Sequence, residues 1–483
     1  MELDITHFYL PDKYWSDRYK DFTQKWIDYV ASGKGSPQDN DWKIFLNGRN
    51  ENPVGGIGQG ALIEDQPDKI KNAWKEKLFP LFEKIAGAKD TDQEIIKKIK
   101  AVKGVLKDIV GQSRNNVFNR MLITFCPDIL INIPDENQVD RFLSILVKSG
   151  LKDENFVDWV DKSIAIKKFV DAKIEKVDGL YVNYWGIYDK MSYFQSLVSN
   201  KNLILTGAPG TGKTYAAKEL AAFIIGCKKE ELNKREQFHF VQFHPSYDYT
   251  DFVEGLRPRE KNGNIVFERK DGIFVDFCRK ALKAYEKAND DKTEPPKYVI
   301  VIDEINRGEI SKIFGELFFS IDPDYRGVKG CVYTQYSNLW VTEKDLFDGG
   351  KMFYVPENVY VIGTMNDIDR SVESLDFAFR RRFVFNEVTA EYSQKMLTGK
   401  NRAEIIKRMN ALNEKIERTE GLGPAYQIGA SYYLSLCDKK IITGAEWVEL
   451  WNTRLGSLLY EYVRGNPDAK KIMKELENAY NLK

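Results

Sequence analysis

The sequence predicts an α/β fold in which a parallel sheet is covered on both faces by helices. Between about residues 200 and 385, four short apolar segments alternate with stretches of helical pattern, the segments being NLILTGA, FHFVQFH, YVIVIDE and VYVIGTM. Near-continuous apolar strands of this kind belong to parallel sheets buried on both sides. A glycine-rich segment typical of a phosphate-binding loop directly follows the first of them.

The residues that precede this sheet are predicted to be mostly helical or α+β. Residues 94–110 place their apolar residues near one helical face and their lysines largely elsewhere, which favours a solvated amphipathic helix; a phosphate-contacting helix is the alternative. Residues 117–148 combine a helix-like opening, a Pro-Asp turn and a second helix. We predict an N-terminal recognition or adaptor region over residues 1–180, which can be divided near residue 110.

Glycines 55, 56, 58 and 60 lie in an irregular stretch of this region. The GxGxxG register fails because Ala61 takes the last glycine position, and no strand precedes the segment. We interpret it as a loop.

Aromatic residues are dense just before the first strand, which indicates a junction and not a flexible linker. The α/β domain is predicted over residues 181–385. Helical patterning resumes after Phe385 and predicts a helical lid over residues 386–483.

Composition excludes several classes of protein. The chain has 72 basic and 72 acidic residues, so any nucleic-acid contact must be local. No run approaches the roughly 18 apolar residues that cross a membrane, and the first residues lack the pattern of a secretory signal. Five widely spaced cysteines and three histidines favour reduced thiols in a cytoplasm and make a zinc site improbable.

The segment GAPGTGKT matches the phosphate-loop pattern GxxxxGK[ST] without a mismatch. Its residues are Gly207, Ala208, Pro209, Gly210, Thr211, Gly212, Lys213 and Thr214. The glycines let backbone N–H groups converge on phosphate oxygens at a helix N-terminus. Lys213 is expected to reach the β- and γ-phosphates, and the Thr214 hydroxyl to ligate Mg²⁺.

Two adjacent carboxylates, Asp303 and Glu304, end the apolar strand that begins at Tyr298. Carboxylates at a buried strand end are costly unless they are paired or bound to a cation. Asp303 is expected to hold Mg²⁺ and Glu304 to orient and polarise the attacking water.

Asn366 lies at the end of the last predicted strand, in the stretch GTMNDIDRSVESLDFAFRRRF. Ligands of such sheets bind beyond the carboxyl ends of the strands, so its neutral amide is expected near the γ-phosphate and the attacking water. The stretch ends in three arginines, 380 to 382.

Five ordered blocks over residues 198–436 resemble the motor domain of the McrB family of AAA+ proteins. They are GAPGTGKT, FHPSYDYTDFVEGLRP, IDEINRGEISKIFGEL, GTMNDIDRS with LDFAFRRRF, and LGPAYQIGASYY. The resemblance implies an AAA+ core with a helical lid and a ring, usually a hexamer. It also implies that Arg381 and Arg382 reach the neighbouring subunit's nucleotide and that Asn306 belongs to the catalytic set. Arg380 is expected to pair within its own subunit, for example with Asp376.

The family also implies GTP, with ATP as the alternative. Its members carry MNTAD where this chain has MNDID, although the final aspartate is kept as Asp369. The N-x-x-D spacing from Asn366 to Asp369 is that by which small GTPases bind guanine. We do not assign it that role, because an asparagine at this strand end belongs beside the γ-phosphate.

The resemblance implies that the N-terminal region recognises DNA, including DNA with methylated cytosine, and that a separate McrC-like nuclease cuts it. A flipped base would need an aromatic pocket. Tyr14, Trp15, Tyr19, Trp26 and Trp42 are candidates, but their helical spacing favours a core role.

No nuclease centre is evident in the sequence. Pro134-Asp135-Glu136 is interpreted as a turn that starts a helix. The alternative function is an AAA+ ATPase that remodels a protein or nucleic-acid complex, with the N-terminal region as adaptor.

Overall fold

The computed structural model describes residues 5–9, 11–33, 38, 41–42, 45–46, 54, 62, 65–112, 114–152, 156–340, 352–366, 368 and 377–482. The chain divides into two compact units, Met1–Gln195 and Ser196–Lys483. Within the described ranges, none of the helices is long and apolar enough to cross a membrane. The glycine-rich segment at 55–60 lies outside the described residues, as do Asp369 and Asp376.

The first unit is helical over its described residues. Its helices are α1 Lys13–Ser32, α2 Gln66–Ala73, α3 Phe79–Glu83, α4 Gln93–Val110, α5 Asn115–Phe125, α6 Glu136–Val147, α7 Trp159–Lys173 and α8 Tyr184–Asn200, of which α8 ends beyond the boundary at Gln195. Four of them begin at an aspartate whose carboxylate accepts an N–H of the first turn, namely Asp12, Asp92, Asp135 and Asp158. Such caps satisfy backbone donors that the helix itself cannot.

Two sequence predictions in this unit are confirmed. Helix α4 buries Ile99, Val102, Leu106 and Val110 along one side, as the amphipathic pattern of residues 94–110 predicts. Asp135 caps α6 by accepting the Gln138 N–H at 2.9 Å, so this segment is a turn that starts a helix.

Aromatic side chains form the core of the first unit. Trp26 is 1% exposed and stacks on Phe45 with ring centroids 4.0 Å apart, and its ring centroid lies 5.9 Å from that of Trp74. Tyr19 and Trp42 are also buried. Their burial confirms the core interpretation for Tyr19, Trp26 and Trp42. Trp15 is partly buried and stacks on Tyr19 with ring centroids 4.8 Å apart, and the Tyr14 side chain lies outside the described part of the structure.

A five-stranded parallel sheet organises the second unit, in the order β2-β5-β6-β1-β7. Its strands are β1 Asn202–Thr206, β2 Phe238–Gln242, β5 Tyr298–Asp303, β6 Val359–Thr364 and β7 Val384–Glu387. The four predicted strands and the predicted fold class are confirmed, and β7 is an additional edge strand. A separate antiparallel pair, β3 Glu254–Lys261 and β4 Asn264–Asp271, was not predicted.

Helices cover this sheet and then form the lid. Those between the strands and just after them are α9 Lys213–Ile225, α10 Tyr249–Phe252, α11 Ile273–Asp290, α12 Ile310–Phe314, α13 Leu317–Ser320, α14 Phe377–Arg380 and α15 Ala390–Ser393. The lid helices are α16 Arg402–Arg418, α17 Leu434–Cys437, α18 Gly444–Leu450, α19 Gly456–Val463 and α20 Ala469–Tyr480.

Short 3₁₀ and π turns complete the described elements. The 3₁₀ turns are Ile5–Phe8, Lys229–Lys234, Ile305–Arg307, Pro323–Tyr325, Gly327–Gly330, Ser337–Leu339, Gln394–Met396, Pro424–Tyr426 and Ala430–Tyr433. The π turns are Trp74–Leu78 and Trp451–Leu455.

Candidate nucleotide-binding site

The phosphate-loop segment lies between the carboxyl end of β1 and the start of α9. Gly207, Gly210 and Gly212 have φ angles of 142°, 76° and 83°, a region that other residues rarely adopt. A Cβ at Gly207 would also lie 2.4 Å from the carbonyl oxygen of Val388. The path of the loop therefore depends on glycine at all three positions.

The side chain of Lys213 lies inside this loop. Its Nζ donates to the carbonyl oxygens of Gly207 at 3.0 Å and Ala208 at 2.9 Å, and the residue is 8% exposed. The buried Thr211 hydroxyl donates to the same Ala208 carbonyl at 3.0 Å. Carbonyl dipoles thus replace part of the hydration of the ammonium group.

Asp303, at the carboxyl end of β5, accepts two hydroxyl hydrogen bonds on one oxygen. Thr214 donates to Oδ1 at 2.6 Å and Thr364 donates to the same atom at 2.7 Å. Threonine and aspartate oxygens are hard ligands that suit Mg²⁺, which usually takes only one or two protein carboxylates together with substrate phosphates and water. Across the described residues, no group of three or more histidine, cysteine, aspartate and glutamate side chains is arranged to hold a metal ion.

Glu304 follows in a left-handed backbone conformation with φ of 51°. Its N–H donates to the Thr364 hydroxyl at 3.2 Å. Its carboxylate accepts hydrogen bonds from the Asn366 amide at 3.0 and 3.2 Å, and its Oε2 lies 3.4 Å from Arg307 Nε in an ion pair. The structure therefore brings Glu304 and Asn366 into direct contact at the edge of the sheet.

Asn306 lies in the 3₁₀ turn after Glu304 and is 6% exposed. Its Nδ2 donates to the Asn366 carbonyl at 3.4 Å. Its Oδ1 is buried and accepts no hydrogen bond from any residue that the structure describes. A buried acceptor without a donor is costly, so this atom is a suitable partner for a bound water or ligand group.

The three arginines at the end of α14 and just after it differ in their surroundings. Arg380 and Arg381 are exposed, and the Arg380 guanidinium lies 5.2 Å from the ring centroid of Phe385. Arg382 is 7% exposed; its NH1 donates to the Ala378 carbonyl at 2.5 Å, and its Nε lies 3.7 Å from Asp322 Oδ2.

This arrangement differs from the expectation that Arg381 and Arg382 both reach a neighbouring subunit. The Arg382 guanidinium also lies 5.2 Å from the ring centroid of Phe318, so both its charge and its planar face have partners in the same chain. Of these two arginines, Arg381 is exposed, as a contact in trans requires, and Arg382 is buried.

A buried network that sequence reasoning missed supports this arginine segment. Arg326 is buried and donates to Asn202 Oδ1 at 2.5 Å and to the Ile321 carbonyl at 3.1 Å. Asn202 in turn donates to the carbonyls of Arg382 at 2.9 Å and Ile321 at 2.7 Å. Burial lowers the pKa of Arg326 to about 10. An asparagine at the start of an otherwise apolar strand was the only sequence hint of this network.

The loop before α17 lies directly on the phosphate loop. Gly429 donates its N–H to the Pro209 carbonyl at 2.9 Å, and Ser431 donates its N–H to the Gly210 carbonyl at 3.1 Å. A Cβ at Gly429 would lie 2.0 Å from the carbonyl carbon of Gly210, and one at Gly210 would lie 2.7 Å from the Tyr432 ring. The two loops can touch because glycine faces glycine.

Asn413 holds this lid loop from the opposite side. Its Nδ2 donates to the Ile428 carbonyl at 2.9 Å, and its Oδ1 accepts the Ile428 N–H at 2.7 Å. Helix α16, which carries Asn413, therefore fixes the backbone that touches the phosphate loop.

Comparison with known families agrees with this geometry. Residues 202–383 match the AAA domain of the dynein-related subfamily, and residues 404–471 match the McrB alpha-helical lid domain.

Two curated relatives are similar to this chain. The type IV methyl-directed restriction enzyme EcoKMcrB subunit of Escherichia coli (strain K12) is 38% identical over 282 residues, 56% of each chain. The type II restriction enzyme BsuMI component YdiS of Bacillus subtilis (strain 168) is 27% identical over 234 residues, 44% of this chain and 63% of that protein. The chain thus spans somewhat more than half the length of the curated relatives it matches.

Among solved structures, PCH-2 of C. elegans is 16% identical over 61% of this chain and 69% of its own, with a TM-score of 0.24. A similarity at this level carries no argument about function.

Proposed function

We propose, from the premise that the chain is an McrB-family AAA+ protein, that it is the nucleotide-hydrolysing motor subunit of a modification-dependent DNA restriction complex. The proposed hydrolase activity rests on one observation. Thr214 at the end of the glycine-rich phosphate loop contacts Asp303, and the neighbouring Glu304 contacts Asn366. The restriction part is supported by the E. coli relative, which is named a subunit of a methyl-directed restriction enzyme.

In this proposal residues 207–214 bind the phosphates. Backbone N–H groups and the Lys213 ammonium would bind the β- and γ-phosphates, and Thr214 and Asp303 would hold Mg²⁺. The ion, when bound, neutralises charge on the phosphate oxygens. Lys213 already lies inside the loop, so it needs only to exchange carbonyl partners for phosphate.

Glu304, Asn366 and Asn306 act on the water that attacks the γ-phosphate. Glu304 accepts or orients the water proton, and the Asn366 amide positions water and phosphate without adding charge. While Asn366 donates to the Glu304 carboxylate, that carboxylate is directed at an amide and not at water. Hydrolysis then requires the hydrogen bond between Asn366 and Glu304 to break, so that a water molecule can bind next to the Glu304 carboxylate. The Asn306 Oδ1 atom, which has no donor in the described structure, can accept a hydrogen bond from that water.

The active form is a ring, and a hexamer in its full form, in which Arg381 contacts the nucleotide of the neighbouring subunit. A guanidinium supplied in trans neutralises charge on the transferring phosphoryl group. Arg382 does not reach that nucleotide in this proposal; it anchors the segment through Asp322 and Ala378. Phe377, 91% exposed on α14 beside Arg381, supports a surface that another subunit covers.

The preferred nucleotide is GTP, with ATP as the alternative. The support for GTP comes from the family alone. The contact between Asn366 and Glu304 supports placing Asn366 at the phosphate end of the nucleotide, away from the base. Competition of GTP and ATP against a fluorescent nucleotide analogue tests the choice, and displacement by ATP alone would reverse it.

We further propose that residues 1–180 recognise DNA, including DNA with methylated cytosine, that residues 181–385 form the motor core, and that residues 386–483 form the lid. A separate McrC-like nuclease supplies cleavage.

The test of the proposed hydrolase is phosphate release by wild type and the Glu304→Gln variant, with nucleotide binding measured alongside. The expected result is turnover lower by roughly 10²–10⁴-fold with binding retained, since the amide cannot accept the proton. Glu309→Gln is the matched control, because Glu309 is half exposed and pairs with Lys312 on the surface. Equal turnover in all three proteins would refute the assignment.

A nucleotide-dependent complex with an McrC-like nuclease that cuts methylated duplexes would support the restriction function. Hydrolysis of ATP that responds to a protein client and ignores DNA would instead favour the remodelling ATPase.

A further inference from the structure

The antiparallel pair β3–β4 forms a two-stranded ribbon that is not part of the main sheet. The pairing runs from Glu254 opposite Asp271 to Lys261 opposite Asn264. Asn262 and Gly263 close it with φ angles of 54° and 77°, the positive values that a tight two-residue hairpin turn requires. Beyond its base the ribbon is largely exposed.

The register gives the ribbon two different faces, because residues directly opposite in an antiparallel pair share a face. One side, which we call the apolar face, carries Leu256, Pro258, Ile265 and Phe267, together with the charged residues Glu260 and Arg269. The other, which we call the cationic face, carries Arg257, Arg259, Lys261 and Lys270, together with Glu268, Asn264 and Val266.

The cationic face is a local departure from a chain with no net charge. On this face, the ribbon residues 256–270 place four basic residues and one acidic residue, Glu268. Three of the cations alternate along β3, which spaces them about 7 Å apart from the base to the tip. Arg257 pairs with Asp251 and Arg259 with Glu268, but each partner in these pairs is 41% or more exposed, so the pairs are weak and can exchange.

The base of the ribbon is held rigidly. The fully buried Glu254 accepts Arg269 Nε at 2.5 Å, Trp340 Nε1 at 2.8 Å and the Tyr336 N–H at 2.7 Å. Asp271 accepts Arg279 NH2 at 2.8 Å.

Gly272 allows close packing at the base of the ribbon. A Cβ at Gly272 would lie 2.4 Å from the backbone of Phe252. An isolated hairpin is only marginally stable, so the buried hydrogen bonds of Glu254 and Asp271 are needed to hold the exposed ribbon in one position.

We propose that the cationic face of this ribbon is a second DNA-binding surface, which contacts the phosphate backbone of duplex DNA without reading its sequence. The inference goes beyond the proposed function, which assigns DNA recognition to residues 1–180. Charge complementarity favours a polyanion over an uncharged partner. A two-stranded ribbon fits the major groove of B-form DNA, whereas the major groove of duplex RNA is too deep and narrow to admit it.

The test measures the affinity of the full chain for a mixed-sequence unmethylated DNA duplex by fluorescence anisotropy across a salt series. Arg259→Ala/Lys261→Ala removes two cations from the distal part of the ribbon and leaves the buried base intact. We expect the slope of log K against log salt to fall by about 2 and the affinity at about 0.1 M salt to drop by roughly tenfold or more.

Two further variants separate the explanations. Lys470→Ala/Lys474→Ala makes the same charge change on exposed positions of α20 and is expected to retain wild-type binding. Ile265→Ser/Phe267→Ser alters the apolar face and is also expected to bind DNA normally.

Wild-type slope and affinity in the cationic-face variant would overturn the proposal, as would a wild-type chain that hydrolyses nucleotide but binds no duplex. The latter result would leave the motor assignment intact. If only the apolar-face variant changes behaviour, by losing a protein partner, the ribbon is a protein-docking surface and the proposal fails.

Discussion

Replacing Gly429 by alanine tests the contact between the lid and the phosphate loop. The added Cβ would lie 2.0 Å from the Gly210 carbonyl carbon and 2.2 Å from the Thr211 nitrogen, both of them backbone atoms that cannot rotate away. The lid loop must therefore retreat, and the hydrogen bonds from Gly429 to Pro209 and from Ser431 to Gly210 are lost or stretched.

The size of the effect follows from these contacts. Two backbone hydrogen bonds contribute about 1–3 kcal/mol together, and forced overlap in a packed region adds about 1–3 kcal/mol. If about 2 kcal/mol of this cost reduces the free energy of nucleotide binding, the affinity for nucleotide falls by about thirtyfold. We expect that loss in the Kd of a fluorescent nucleotide, with a lower unfolding temperature.

Gly423→Ala is the matched control within the same loop. A Cβ at Gly423 would have no neighbour within 4 Å, and its φ of 162° is extended backbone that any residue adopts. Wild-type nucleotide affinity in Gly429→Ala, or an equal loss in Gly423→Ala, would refute the idea that the lid shapes the phosphate loop.

Three further predictions concern the catalytic edge of the sheet. Thr364→Val removes the hydroxyl that links Asp303 to the Glu304 N–H, and steady-state kinetics should show turnover reduced by roughly 10–100-fold with little change in unfolding temperature. The Arg381→Ala variant should keep the wild-type unfolding temperature and lose about 10³–10⁵-fold in turnover. The Arg382→Ala variant should be less stable by about 1–3 kcal/mol in denaturant unfolding, because the substitution removes the ion-pair partner of Asp322. Removing Mg²⁺ with a chelator should abolish phosphate release, and adding it back should restore activity, since Thr214 and Asp303 form only part of its ligand set.

Surface variants of the same type serve as controls for these substitutions. Thr453→Val removes an exposed hydroxyl that bonds only to the Glu449 carbonyl of its own helical segment, and Arg464→Ala removes an exposed arginine that pairs with Glu461. Both should be close to wild type. A Thr364→Val enzyme with full activity, an Arg381→Ala enzyme with full activity, or phosphate release without Mg²⁺ would each contradict its prediction.

The sheet and the phosphate loop could be predicted because their determinants are local. Apolar runs specify four of the five strands, β1, β2, β5 and β6, and the glycine spacing specifies the loop without reference to the rest of the chain. The turn Asn262-Gly263 is also a local feature of this kind, and its hairpin could have been predicted from the sequence.

The environment of Arg382 could not be predicted, because its partner Asp322 lies 60 residues earlier in the chain. Three consecutive arginines carry no sequence pattern that distinguishes a buried side chain from an exposed one. The same holds for Gly429, whose need for glycine arises from a backbone more than 200 residues away. Long-range packing, and not propensity, decides such positions.

Strand β1 joins two parts of the motor that would serve different nucleotides. At its first residue, Asn202 holds the carbonyl of Arg382, next to the exposed Arg381, and after its last residue, Thr206, the phosphate loop begins. Five extended residues span only about 16 Å and are fixed on both sides by hydrogen bonds to β6 and β7. In the proposed ring, β1 would therefore link the nucleotide site of its own subunit to the arginine that contacts the next subunit's nucleotide. A displacement of the phosphate loop would then move Arg381 by a similar distance.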